Sequence, residues 1–230
     1  MQGNDMSATH MFRSVQRPPD PQSRDEYIIP EIKSRLALLF TGHMTDAPER
    51  ASPRFPPQME AIAAHTIRVQ IRNAIITSNS SLIGIASGAR GGDILFHEIC
   101  QSEGIATVMV LPFDTDAFLA QSVRSTKGTQ PDCWETRFWR IWHRLGSDNR
   151  IILDTKDEND PFGACNNVML TMAQTHGQTV ELLALWDGEG IAKLGGTAAF
   201  VEHFRATTDG PFTHIDSKAL LHQCASVPGL

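Results

Sequence analysis

Ser87-Gly88-Ala89-Arg90-Gly91-Gly92-Asp93 follows the apolar run Leu82 to Ala86 and leads directly into a helical pattern. A serine and three glycines at a strand-to-helix turn leave backbone N–H groups at the positive end of a helix dipole, with no side chains to hold a phosphate away. The dipole supplies only about 0.3–1 kcal/mol, so several N–H bonds must supply the rest. Asp93 either caps the helix or holds a ribose hydroxyl. The plainer alternative is a tight glycine turn with no ligand. Gly195-Gly196-Thr197 repeats the arrangement at a later helix start, where Thr197 either caps the helix or bonds a phosphate oxygen. Its plainer alternative is a flexible loop with a threonine cap. Two such helix starts at one edge of a sheet favour a nucleotide cleft more than either alone.

Charged side chains cluster near the same strand ends. Gly42, His43, Asp46, Arg50 and Arg54 follow the run Leu36 to Thr41, and Asp114 follows Ala106 to Leu111. Arg90, Arg50 and Arg54 are candidates to neutralise a ligand's charge. Asp46, Glu98 and Asp114 are the carboxylates that would serve a hydrolase, with Arg137 or Arg140 on its phosphate. Residues 121–150 carry six basic and three acidic side chains together with Trp134, Trp139 and Trp142. They read as an amphipathic helix with a solvated basic face or, alternatively, as an anion-facing wall.

Other chemistries find no support. Serine does not occupy the nucleophile position of a G-x-S-x-G elbow in Gly84 to Gly88, and no G-x-x-x-x-G-K-[ST] loop occurs. His97-Glu98 is not H-E-x-x-H, so no metal site is expected. Cys100 reads as a core residue, and none of the four cysteines forms a C-x-x-C pair. No cofactor is required.

The elements that must place these residues alternate. Strands are expected at Leu36 to Thr41, Leu82 to Ala86, Ala106 to Leu111, Arg150 to Leu153 and Thr179 to Trp186. Helices are expected at Gln58 to Ser78, Gly92 to Glu103, Trp134 to Leu145, Asn166 to His176 and Gly196 to Arg205. The order predicts an α/β fold, a Rossmann-like three-layer α/β/α sandwich with a mostly parallel sheet, whose ligand site lies beyond the carboxyl ends of the strands. Prolines concentrated before residue 31 mark residues 1–31 as a leader or linker; residues 32–210 form the domain and 211–230 a C-terminal extension. Phe138 and Trp142 are candidates for an oligomer interface.

With 230 residues and a formal charge of -6, the chain has the profile of one ordinary domain with a tail, and its acidity disfavours a nucleic-acid backbone as partner. No apolar run approaches the ~20 residues of a membrane span. No signal-peptide pattern opens the sequence, and a cytoplasmic location is expected.

The run IASGARGGDILFHEICQSEGIATVMVLP, Ile85 to Pro112, resembles the glycine turn, helix and next strand of the SLOG superfamily, which includes the Smf/DprA and Lonely Guy proteins. The segment GHMTDAPERASPRFP, Gly42 to Pro56, is similar to a bacterial subgroup of that superfamily associated with signalling and antiviral defence. The resemblance covers Leu36 to Arg205. It implies a Rossmann-like domain that binds a nucleotide or nucleotide-derived signal at the two glycine turns, and a homo-oligomer with an effector protein as partner. The sequence departs from the P-G-G-x-G-T-x-x-E motif of the Lonely Guy hydrolases. Phe200 stands at the glutamate position, Ala192-Lys193-Leu194 replaces P-G-G, and Glu202 lies about 200° around the helix from Phe200. Two readings follow. One is a sensor of an ADP-ribose-like signal, with phosphates on the glycine turns and Asp93 or Asp114 on a ribose. The other is a hydrolase of a nucleotide's N-glycosidic bond.

Overall fold

The computed structural model describes residues 35–47, 49–78, 80–124, 134–189 and 195–226. The expected leader at 1–31, with Lys127, Asp132, Cys133, Gly190 and Ala192 to Leu194, lies outside the described residues.

Six parallel strands form one sheet in the order β4-β3-β2-β1-β5-β6. They are β1 (Arg35–Gly42), β2 (Ser81–Ala86), β3 (Ala106–Leu111), β4 (Arg150–Ile152), β5 (Thr179–Trp186) and β6 (Phe212–Asp216). Side chains alternate across the pleat, and β1 shows what this does. Leu36, Leu38 and Phe40 join one core layer, with residues of α1 (Glu60–Ser78), α2 (Gly92–Ser102) and α7 (Ser217–Ala225). Ala37 and Leu39 join the other, with α5 (Pro161–His176) and α6 (Thr197–Thr207). A third cluster packs Met109 and Leu111 of β3 against α3 (Thr115–Phe118) and α4 (Trp134–Arg144). Helices therefore cover both faces, as a parallel sheet requires. No helix among the described residues is long and apolar enough to cross a membrane.

Two segments differ from expectation in ways that bear on the site. Helix α5 begins at Pro161 instead of Asn166, because Asp160 caps it by accepting a hydrogen bond from Gly163 N at 2.9 Å and proline is well suited to the first turn. Beyond residue 210, the stretch expected as an extension continues the domain. Strand β6 pairs with β5, and Leu220 of α7 enters the core.

From the stretch at 121–150 Gln121 and Ser122 line the cavity described below, but none of its described basic side chains does. Phe138, Ile141 and Trp142, three and four residues apart, are buried, so Phe138 and Trp142 are core residues and not an exposed interface. Arg137 bonds Glu98 at 2.5 Å and 2.9 Å and Glu60 at 2.6 Å, tying α4 to α2 and α1. Arg124 pairs with Glu135 at 2.7 Å, and Arg140 is exposed.

Candidate functional site

From β1 the chain moves towards β2 on one side, and from β5 towards β6 on the other. Between strands whose connections diverge in this way a crevice opens at their carboxyl ends. His43 closes the bottom of it. Its N–H donates to Leu185 O at 3.0 Å, its carbonyl accepts from Gly92 N at 3.2 Å, and its ring Nε2 accepts from Asp187 N at 3.2 Å. Burial, with Arg54 adding its charge, holds the ring down to about 4 against the pull of the Asp187 carboxylate 3.4 Å from Nε2, so the imidazole is neutral.

Above His43 lies a cavity of about 640 Å³. Of the expected ligand-binding residues, Gly42, His43, Arg50, Arg54, Ser87, Ala89, Asp93, Gly195, Gly196 and Thr197 line it. The two glycine turns thus meet at one cavity, but they differ in what they offer it.

The Ser87 to Asp93 turn is largely closed upon itself. Ala89 N donates to Asp93 Oδ2 at 3.2 Å, Arg90 N to Ser122 O at 3.0 Å and Gly92 N to His43 O. Gly88 packs on Met109 and Phe138, and Gly91 adopts φ 96° against the backbone of His43 and Thr45. The expected role of Arg90 is not met. Its Nε reaches Thr45 O at 3.4 Å and its Nη1 reaches Arg124 O at 3.3 Å, so it clamps loops outside the cavity.

The Gly195 to Thr197 turn is the open one. Gly196 caps α6 without a side-chain hydrogen bond, so among the described residues the first-turn N–H groups have no side-chain acceptor where Gly196, Thr197 and Ala198 line the cavity. Thr197 Oγ1 lies 3.5 Å from Thr41 Oγ1. Gly195, at φ 70°, is held by Asn166 Nδ2, which donates to its carbonyl at 3.3 Å.

The loop after β1 supplies the cations. Asp46, expected as a catalytic candidate, is consumed in shaping this loop. Its Oδ2 accepts from Arg54 N and Phe55 N, both at 2.7 Å, while Oδ1 pairs with Arg50 at 3.2 Å. Arg54 is different. Its Nε is sealed without an acceptor, and no carboxylate among the described residues pairs with it, although Asp187 and Asp46 lie near enough to influence it. Burial and the neighbouring Arg50 both weaken its hold on the proton.

The remaining hydrolase candidates are elsewhere. Glu98 and Arg137 are locked to each other, and Asp114 caps α3 through Ala117 N at 2.9 Å with its side chain 57% exposed. Phe200 is buried in the core and Glu202 is exposed, so no glutamate stands where the Lonely Guy motif has one. Cys165 lines the cavity, but burial pushes its thiol up to about 12 and leaves it an apolar surface.

Several lining residues escaped the sequence reading: Thr41, Met44, Trp186 and, from α5, Phe162, Asn166 and Met169. The signal for the α5 group was the Asp160-Pro161 helix start, which brings the first turns of α5 over the strand ends. A shallower groove of about 700 Å³ shares Asn166 and Gly195 with the cavity, and Asp157, Glu158 and Asp160 line it.

Buried histidine carries a consequence for pH. His97 is fully buried, its Nε2 donates to Ser87 O at 2.9 Å, and its Nδ1 is sealed without a partner. Burial holds its ring down to about 4 from the ordinary 6.5, against the pull of the Ser87 and Ala86 carbonyls. A folded value below the unfolded one gives stability that is present above pH 6.5 and lost as pH falls towards 4, by about 1.4 kcal/mol per unit of difference. His43 acts in the same direction. Asp93 acts in the opposite one: raised by burial to about 7 from 3.8, its contribution is full at low pH and is lost as pH rises through 7. With two histidines and the arginine-bonded Glu103 and Glu135, held below the usual carboxylate range, against Asp93 and Glu181, which burial raises, urea midpoints should fall between pH 6.5 and 4.5. His97→Gln keeps a donor for Ser87 and removes the titrating ring, so its midpoints should fall less steeply. An unchanged slope would exclude His97 as a source of the acid sensitivity.

The chain matches no family model, no curated protein and no solved structure.

Proposed function

We propose that this chain is a SLOG-like module that binds a nucleotide or nucleotide-derived signal of the ADP-ribose kind in the cavity between β1 and β5, and that occupancy controls its assembly or a partner effector. One observation carries the reading. Arg54, whose guanidinium pairs with no carboxylate among the described residues, and the start of α6, which no described side chain caps, line the same cavity, and an anion satisfies both a partly buried cation and helix N–H groups. The volume is in the range that small ligands occupy. Trp186, Phe162 and Met44 supply apolar surface for a flat ring. Sensing is favoured over hydrolysis because Asp46, Glu98 and Asp114 are each engaged elsewhere.

A nucleotide panel, followed for melting temperature and for products, tests this. AMP or ADP-ribose should raise the melting temperature with no release of free base. Gly196 has φ -81°, which any residue adopts, so Gly196→Glu should fold normally while its carboxylate repels the anion and abolishes the shift. Release of free base would replace the sensor with a hydrolase. A full shift in Gly196→Glu would remove the α6 start from the site.

A further inference from the structure

Asp93 is the feature of the cavity that anion binding leaves unexplained. It occupies the second position of α2, is 7% exposed, and lines the cavity together with Ser87 and Ala89 of its own turn, Phe118, Ser122 and Cys165. Its Oδ2 is turned back to the N–H of Ala89. Its Oδ1 meets no protein donor among the described residues and is not sealed, so it opens on the cavity. Neither cavity arginine reaches it: Arg50 pairs with Asp46, and Arg54 forms no ion pair among the described residues. A buried carboxyl with an oxygen left for a ligand calls for donors from that ligand.

We propose that Asp93 makes the cavity selective for a ribose, its Oδ1 accepting both hydroxyls of a vicinal diol. The proposal rests on the nucleotide reading and fixes the ligand's direction. An ionised carboxyl repels a phosphate, so the phosphate lies towards Arg54 and the start of α6, and the group next to it in any nucleotide is the sugar. Two adjacent hydroxyls converge on a single oxygen. The paired N–H edge of a base needs both oxygens side by side, and Oδ2 is turned away. Asp114, the other aspartate considered for a ribose, is excluded by its place at the start of α3, outside the cavity.

The test compares AMP with 2′,3′-dideoxy-AMP by calorimetry and thermal shift, on the full chain and on Asp93→Asn. Asparagine keeps the size and an oxygen for Ala89, but turns a donor towards the diol. At pH 8.5, above the value of about 7 to which burial raises Asp93, the full chain should bind AMP at least about tenfold more tightly than the dideoxy form, the scale of hydrogen bonds to a charged group. Asp93→Asn should melt no lower than the full chain and prefer AMP by clearly less, since its amide can only donate to a hydroxyl where the carboxylate accepts from two. Equal binding of both forms by the full chain overturns the role of Asp93 and leaves the nucleotide site standing. A preference undiminished in Asp93→Asn does the same. Binding of neither form overturns the nucleotide reading and this inference with it.

Discussion

Gly91→Ala is expected to cost about 3 kcal/mol or more, the sum of backbone strain and overpacking. Gly91 has φ 96° and ψ -122°, a region that is essentially glycine's alone. A Cβ there would stand 2.7 Å from Thr45 N and 2.9 Å from His43 O, both backbone atoms that cannot swing aside. It would also part the bridge between Met44 and Gly91, and so separate the β1 loop from the start of α2. Gly104 is the control: it too has positive φ, at 72°, but a Cβ there meets nothing within 4 Å. Gly104→Ala should cost only about 1 kcal/mol, the left-handed penalty by itself. Urea unfolding of the two variants checks this, and equal losses would mean that the packing against His43 and Thr45 is unimportant. Gly91 is thus a poor place to introduce a blocking side chain, since a variant there reports on folding as well as on ligand.

Arg54→Ala is expected to show the opposite pattern. Removing one member of a desolvated charge pair costs about 2–5 kcal/mol of binding. Affinity for AMP or ADP-ribose should therefore fall by at least about thirtyfold. Stability without ligand should stay level or rise, because the substitution removes a partly buried cation that pairs with no carboxylate among the described residues. Calorimetry and thermal unfolding of the one variant give both numbers. Lost stability with intact binding would make Arg54 a structural residue.

Much of the fold was legible because strands buried on both sides are short apolar runs bounded by glycine and proline. Thr179–Trp186 has the bounds its sequence suggested. β6 was hidden because FTHID has too few apolar residues to stand out, its outer edge being unpaired among the described residues. At the site, the two glycine turns were visible as motifs, but their division of labour was not. Whether a turn's N–H groups are free depends on acceptors from distant segments, such as Ser122 O for Arg90 and His43 O for Gly92. Side-chain roles were hidden for the same reason. Glu98 and Arg137 are 39 residues apart in sequence and become a locked pair only when α2 and α4 pack. Asp46 looked free until the loop folded back on Arg54 and Phe55.

His43 joins β1 to β5 and to the first turn of α2 through three hydrogen bonds, and each of these is worth about 0.5–1.5 kcal/mol. Both walls of the cavity are in this way fastened to one buried ring and its backbone before any ligand arrives. Ordering has been completed during folding, so a guest that fits loses its own freedom on entry and asks little further entropy of the protein.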